Sequence, residues 1–191
     1  MEYKLTAPCT AADLAPLRAG DTVLLSGVVY TARDQAHKRM IEALDAGEAL
    51  PFPLEGSAIY YVGPTPERPG QVIGSAGPTT SGRMDSMSPR LLDLGNKIMI
   101  GKGKRDAAVK AAVRRNGAVY LAALGGAGAL MARSVRSLEV IAWPDLGCEA
   151  VRRLEVTDMP LTVILDSAGG DLYESGPAVY LASRQGPGPA L

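Results

Sequence analysis

Six short apolar runs recur along this chain, all but the first closed directly by glycine, proline or a charged residue. They are residues 22–30 (TVLLSGVVY), 57–62 (SAIYYV), 97–101 (KIMIG), 118–124 (AVYLAAL), 138–143 (LEVIAW) and 161–166 (LTVILD). Runs this short and this rich in Val, Ile and Leu read as strands, with Gly27 marking a bulge in the first. Residues 71–76 read as one more. Helical periodicity lies between them. Over residues 31–46, Thr31 is an N-cap with Asp34 three residues on; Ala32, Ala36, Met40 and Leu44 form an apolar stripe, and Gly47 stops it. Residues 86–94 carry Pro89 in a first turn, and residues 105–116 align Val109, Ala112 and Val113 before Asn116-Gly117. Strand–loop–helix units in series predict one α/β domain. It is expected to span residues 1–180, with 181–191 a frayed tail that has few apolar anchors.

The bulk numbers exclude several classes. Formal net charge is zero and aromatic content is 5%, so there is neither a basic footprint nor a stacking platform for nucleic acid. No apolar run reaches the roughly 18–20 residues of a bilayer span. The opening Met1-Glu2-Tyr3-Lys4 lacks the basic and then apolar regions of a leader, and the expectation is a cytoplasmic protein. With two cysteines, Cys9 and Cys148, and one histidine, His37, the chain falls short of the three or four Cys/His ligands of a structural zinc site or an iron–sulfur cluster. No metal ligand is assigned.

Three cationic features each follow an apolar strand. Arg33 sits after residues 22–30, at the start of a predicted helix, where a cation is disfavoured by the helix dipole unless an anionic ligand is shared. The plain alternative pairs it with Asp34 or Glu42 on a solvated face, and His37 lies one turn on. The stretch SAGPTTSGRMD, residues 75–85, offers Thr79, Thr80 and Ser81 hydroxyls, a close backbone approach at Gly82 and the fork of Arg83. Free N–H groups, hydroxyls and a guanidinium suit a carboxylate or phosphate. Lys102 stands between Gly101 and Gly103, with a solvated basic turn as the alternative. Three cations at strand ends point to one pocket on an α/β sheet, suited to a dicarboxylate. By contrast, LGGAGALM (124–131) has G-x-G but Met131 where a third glycine would stand, so it reads as a tightly packed glycine turn and not a dinucleotide site.

Five motifs, in order, carry a family resemblance: SGVVYTARDQAHKRM, GSAGPTTSGRMD, IGKGKR, LGCEAVRRLEV and LDSAGGDLY. They resemble the iron–sulfur hydro-lyases over roughly residues 3–180. The likeness is to the β subunit of class I fumarases and tartrate dehydratases, equivalent to the C-terminal domain of single-chain class I fumarases. The resemblance implies a swivelling three-layer β/β/α domain and reversible hydration of fumarate to L-malate. It also implies a 4Fe–4S cluster whose open iron acts as Lewis acid. Arg33, Arg83 and Lys102 correspond to binders of substrate carboxylates. Thr79 corresponds to the residue near the carbon that exchanges a proton, a role that needs a stabilised alkoxide or a relay to a carboxylate. Asp85 is an orienting candidate for Arg83 and His37 a second one, whereas Cys9, Cys148 and Glu149 receive no role. The cysteine count places the cluster on a separate α subunit, in an α2β2 assembly, leaving this chain inactive alone. A tartrate dehydratase β subunit is the nearest alternative, although ARDQAH and TTSGRMD stand closer to the fumarase side. A dicarboxylate-binding protein without catalysis is the alternative of another class, disfavoured by the intact set of cations.

Overall fold

The computed structural model describes residues 1–184. Seven strands run in the order β1 (Glu2–Ala7), β2 (Thr22–Thr31), β3 (Ala58–Tyr60), β4 (Ile98–Gly101), β5 (Val119–Ala122), β6 (Val135–Ala142) and β7 (Val151–Leu165). Six helices punctuate them: α1 (Ala11–Leu14), α2 (Asp34–Asp45), α3 (Ser88–Asp93), α4 (Ala107–Arg115), α5 (Gly128–Arg133) and α6 (Leu172–Arg184). The class is α/β, as the alternation of periods predicts. Among the described residues no helix is long and apolar enough to cross a membrane.

One sheet has the order β1-β2-β3-β4-β5-β7-β6. Strands β2 to β5 are parallel neighbours, β1 is parallel to β2, and β7 is antiparallel to β2, β5 and β6. Because β7 also pairs along β2, the strands β2, β3, β4, β5 and β7 form a closed circuit of hydrogen-bonded pairs. Alternate side chains of the short central strands serve two different cores. Tyr60, Ile100 and Leu121 face one shared with Val23, Leu25 and Leu161 of β2 and β7. Ile59, Met99 and Tyr120 face the other, which α2, α3 and α4 complete through Met40, Leu91 and Val113. Burial on both faces explains why these strands read as continuous apolar runs.

Gly27 is the bulge its position predicts: the β2–β7 register shifts between Leu25 and Gly27. Its φ of +94° and an ideal Cβ only 2.3 Å from the Ala7 carbonyl oxygen admit no side chain there.

The structure differs from the sequence-based expectations at several places. Residues 71–76 form no strand, because their backbone partners are irregular: Thr65 N–H donates to the Ser75 carbonyl at 3.1 Å, and Ala76 N–H to the Gly128 carbonyl at 3.0 Å. Thr31 is not a helix cap. It ends β2, and its hydroxyl accepts the Arg152 N–H at 3.0 Å. The capping position of α2 is Arg33, which makes no side-chain cap bond. Residues 161–165 are only the end of the 15-residue strand β7, and Asp166 lies just beyond it. Of the tail expected at 181–191, residues 181–184 continue α6, and the rest lies outside the described residues.

Candidate active site

Register alone brings the cations to one edge. Thr31 pairs with Tyr60, Tyr60 with Ile100 and Ile100 with Leu121, so β2 to β5 finish level with one another. Arg33 and Lys102 each lie two residues beyond that row, at the C-terminal ends of parallel strands where α/β folds hold their ligands. The 78–84 segment joins the same edge. Thr80 forms a parallel bridge with Lys102. Thr79 N–H donates to the Tyr61 carbonyl at 2.7 Å, and Ser81 N–H to the Lys102 carbonyl at 2.8 Å.

Asp34 lies between the two arginines. Its Oδ1 is 3.8 Å from Arg33 Nε and its Oδ2 is 3.7 Å from Arg83 Nη1. Glu149 approaches from the turn at 144–149: Oε1 is 3.4 Å from Arg33 Nη2, and Oε2 accepts the Gln35 N–H at 2.9 Å. That carboxylate satisfies a free donor at the start of α2. The arginine separations are those of ion pairs and not of direct hydrogen bonds, and Arg33 Nε is buried with no hydrogen-bond partner among the described residues. Arg83 keeps 54% of its side-chain surface exposed. Lys102 is exposed and has no ion pair among the described residues. Arg83 and Lys102 thus present their charges to solvent, whereas Arg33, with 19% of its side chain exposed, is flanked by two carboxylates. Thr79, half-buried, sits next to these cations with its backbone pinned.

Two candidates lie behind this surface. Asp85 accepts from Arg105 Nε at 2.6 Å and from the Asp106 N–H at 2.7 Å; the carboxylate beside Arg83 is that of Asp34. His37 is buried, with its ring edge-on to Tyr61 at 5.2 Å. Its Nδ1 lies 3.0 Å from the Arg33 carbonyl, which can only accept, so Nδ1 carries the proton and Nε2 is left unpartnered. Burial depresses the His37 pKa to about 4, against the opposing hydrogen bond to Arg33 and assisted by the nearby Arg105 charge. Between its ordinary value of 6.5 and about 4, the unfolded chain binds a proton that the folded chain does not. Stability therefore falls as the pH drops through that window, by up to about 1.4 kcal/mol per unit, and is independent of His37 above it. Urea unfolding at pH 4.5 and pH 7 checks this: His37→Gln is expected to shrink the difference between the two.

Two cavities flank residues 64–75, away from the strand-end cations. One, of about 520 Å³, borders Arg68 and Arg133; the other, of about 450 Å³, borders Cys148 and Arg152. In the glycine-rich stretch 124–131 the close packing falls on Gly128, the first residue of α5, where a Cβ would stand 2.2 Å from Ser75 Oγ, whereas Gly126 has open space around it.

The family model described as Fumarase C-terminus matches residues 1–176. The chain belongs to the fumarase C-terminus family. It is 38% identical over 165 residues to the class I, aerobic fumarate hydratase of Escherichia coli, a match covering 85% of this chain and 30% of that protein. It is 42% identical over 180 residues to a putative L(+)-tartrate dehydratase subunit beta of Methanocaldococcus jannaschii, covering 91% and 92% of the two. The L(+)-tartrate dehydratase subunit beta of Escherichia coli is 32% identical over 189 residues. The chain thus spans under a third of the fumarate hydratase it matches and nearly the whole of the beta subunits. Within this fumarase C-terminus domain, the sequence singles out Arg33, Thr79, Arg83 and Lys102, and names Asp34 as the alternative partner of Arg33, a pairing the structure contains; it gives no hint of the placement of Glu149 and Arg105. Glu149 lies 114 residues from the amide it caps, and no local pattern marks it.

Proposed function

We propose that this chain is the β subunit of an iron–sulfur hydro-lyase that adds water reversibly to fumarate, giving L-malate. The observation that carries the reading is the row of Arg33, Arg83 and Lys102 at the parallel strand ends, in a chain of the fumarase C-terminus family. The guanidiniums of Arg33 and Arg83 grip substrate carboxylates, and Lys102 adds a third positive charge. Thr79 faces the carbon that exchanges a proton. Its hydroxyl acts through cations that stabilise an alkoxide, or as a relay to a carboxylate. The strands β3 to β5, packed between helices and the β2–β7 pair, support describing the domain as a swivelling β/β/α three-layer unit, and we place it in the cytoplasm.

The residues present do not fit a 4Fe–4S cluster. Among the described residues no group of three or more His, Cys, Asp or Glu is arranged to hold a metal ion. Cys9 is buried, its thiol pushed up to about 11 by burial with help from Asp13, and so stays protonated; Cys148 is exposed. We therefore assign the cluster to a cysteine-bearing α subunit, in an α2β2 assembly, and route no step of this chain's chemistry through it. The β-subunit names of the relatives of matching length support a partner. Those same names favour a second reading, dehydration of L-tartrate by the same surface. Co-expression with a cysteine-bearing partner and anaerobic assay on fumarate and L-tartrate separates them. Faster turnover of fumarate is expected; preference for L-tartrate installs the second reading, and turnover of neither overturns the hydro-lyase assignment.

A further inference from the structure

Behind the cations lies a buried polar network that the proposed chemistry does not use. The Arg105 side chain is 0% exposed. Its Nε donates to Asp85 Oδ1 at 2.6 Å and its Nη2 to Ser88 Oγ at 2.8 Å. Its guanidinium carbon lies 5.3 Å from the Tyr61 ring centre and 5.1 Å from that of Tyr120. Each of these neighbours reaches the ligand-facing edge. Asp85 is two residues from Arg83, and Arg105 is three from Lys102. The Tyr61 carbonyl holds the Thr79 N–H. The Tyr120 hydroxyl is 2.9 Å from Ser81 Oγ and donates to the Gly103 carbonyl at 2.9 Å. Ser81 Oγ also accepts the Lys102 N–H at 3.1 Å, in a space so tight that a Cβ on Gly101 would stand 2.0 Å from it.

We infer that Arg105, paired with Asp85, is a positioning residue that clamps the 79–85 and 101–106 loops together and so fixes Thr79, Arg83 and Lys102 relative to one another. The inference rests on the proposed role of those three residues. A planar guanidinium between two aromatic faces, with two separate acceptors, fixes both direction and distance; an ammonium fixes neither. Displacements near 1 Å in such a site cost on the order of a hundredfold in rate.

The test uses Arg105→Lys and Asp85→Asn in the assembled enzyme, with amide hydrogen exchange beside kinetics. kcat/KM is expected to fall on the order of a hundredfold in Arg105→Lys, with kcat lowered and KM raised together. Exchange is expected to accelerate at 79–83 and 101–106 by more than at β2. Native kcat/KM, or exchange accelerated equally at all three places, overturns the positioning role. Should neither variant fold, the unmodified protein decides. The amides of Thr79, Ser81, Lys102 and Asp106 opening as one unit across a denaturant series supports the clamp, and their opening independently overturns it. If the unmodified assembly turns over neither fumarate nor L-tartrate, the functional reading fails, and the same exchange unit still judges the clamp.

Discussion

Arg83→Lys is expected to lower kcat/KM of the assembled enzyme by about one to two orders of magnitude, while Lys104→Ala leaves it within about twofold. The difference follows from geometry. Arg83 stands half-exposed at the strand-end edge, 3.7 Å from Asp34, with its fork free to take a carboxylate through two parallel hydrogen bonds. A lysine keeps the charge and loses the fork. A charge-assisted bond to bound substrate contributes about 1.5–3 kcal/mol, which sets the size of the loss. Lys104 is exposed in the neighbouring loop, and an exposed charge contributes little. In the same assay Thr79→Val is expected to lower kcat with little change in KM, since a proton-transfer group acts in the transition state. Near-full kcat in Thr79→Val together with loss of activity in Lys104→Ala would reassign the roles within this surface. Steady-state kinetics at saturating and limiting fumarate distinguish these cases.

Asp85→Ala is expected to destabilise the folded chain by about 3–5 kcal/mol, the cost of leaving a buried charge without its counter-ion. Arg105 has no water to turn to, and its partner also accepts the Asp106 N–H at 2.7 Å, next to the start of α4. Alanine thus leaves the guanidinium without its counter-ion and a backbone donor without its acceptor. Replacing both members, Asp85→Ala with Arg105→Met, is expected to recover part of the loss, because a pair of apolar side chains carries no desolvation penalty. Urea unfolding of the four proteins measures the coupling. A single-variant loss below about 1 kcal/mol would mean that the pair is hydrated in solution.

Much of this architecture is legible in the chain because the informative residues are local. Strands β3 to β5 announce themselves as apolar runs, for burial on both faces removes polar interruptions. The helix α2 shows its stripe through Ala36 and Met40, both buried. Strand β7 is harder. Its first ten residues, VRRLEVTDMP, are half charged or polar, since one side stays wet, and only Val151, Leu154, Val156 and Met159 turn inwards. Residues 71–76 mislead in the other direction, as Val72-Ile73 reads as strand although the backbone pairs with a loop.

The site divides the same way. Cations that follow apolar strands are visible as a pattern, and the parallel register brings Arg33 and Lys102 to one edge. Of their counter-charges, Asp34 is visible next to Arg33 in the chain, but the distant ones are invisible to local reading. Asp85 looks adjacent to Arg83 in sequence but turns to Arg105, 20 residues away, because the buried guanidinium exerts the stronger pull. Glu149 reaches α2 across the fold for a similar reason: a free helix N–H and a guanidinium both lie within its range.

The central claim is that this chain supplies half of a site. It is tested most directly by anaerobic reconstitution of the chain with iron and sulfide, followed by titration with a cysteine-bearing α subunit under assay on fumarate. The account predicts a colourless chain without turnover, and activity that rises with added partner to a plateau at one chain per partner. A stoichiometric cluster with turnover in the chain alone would contradict it.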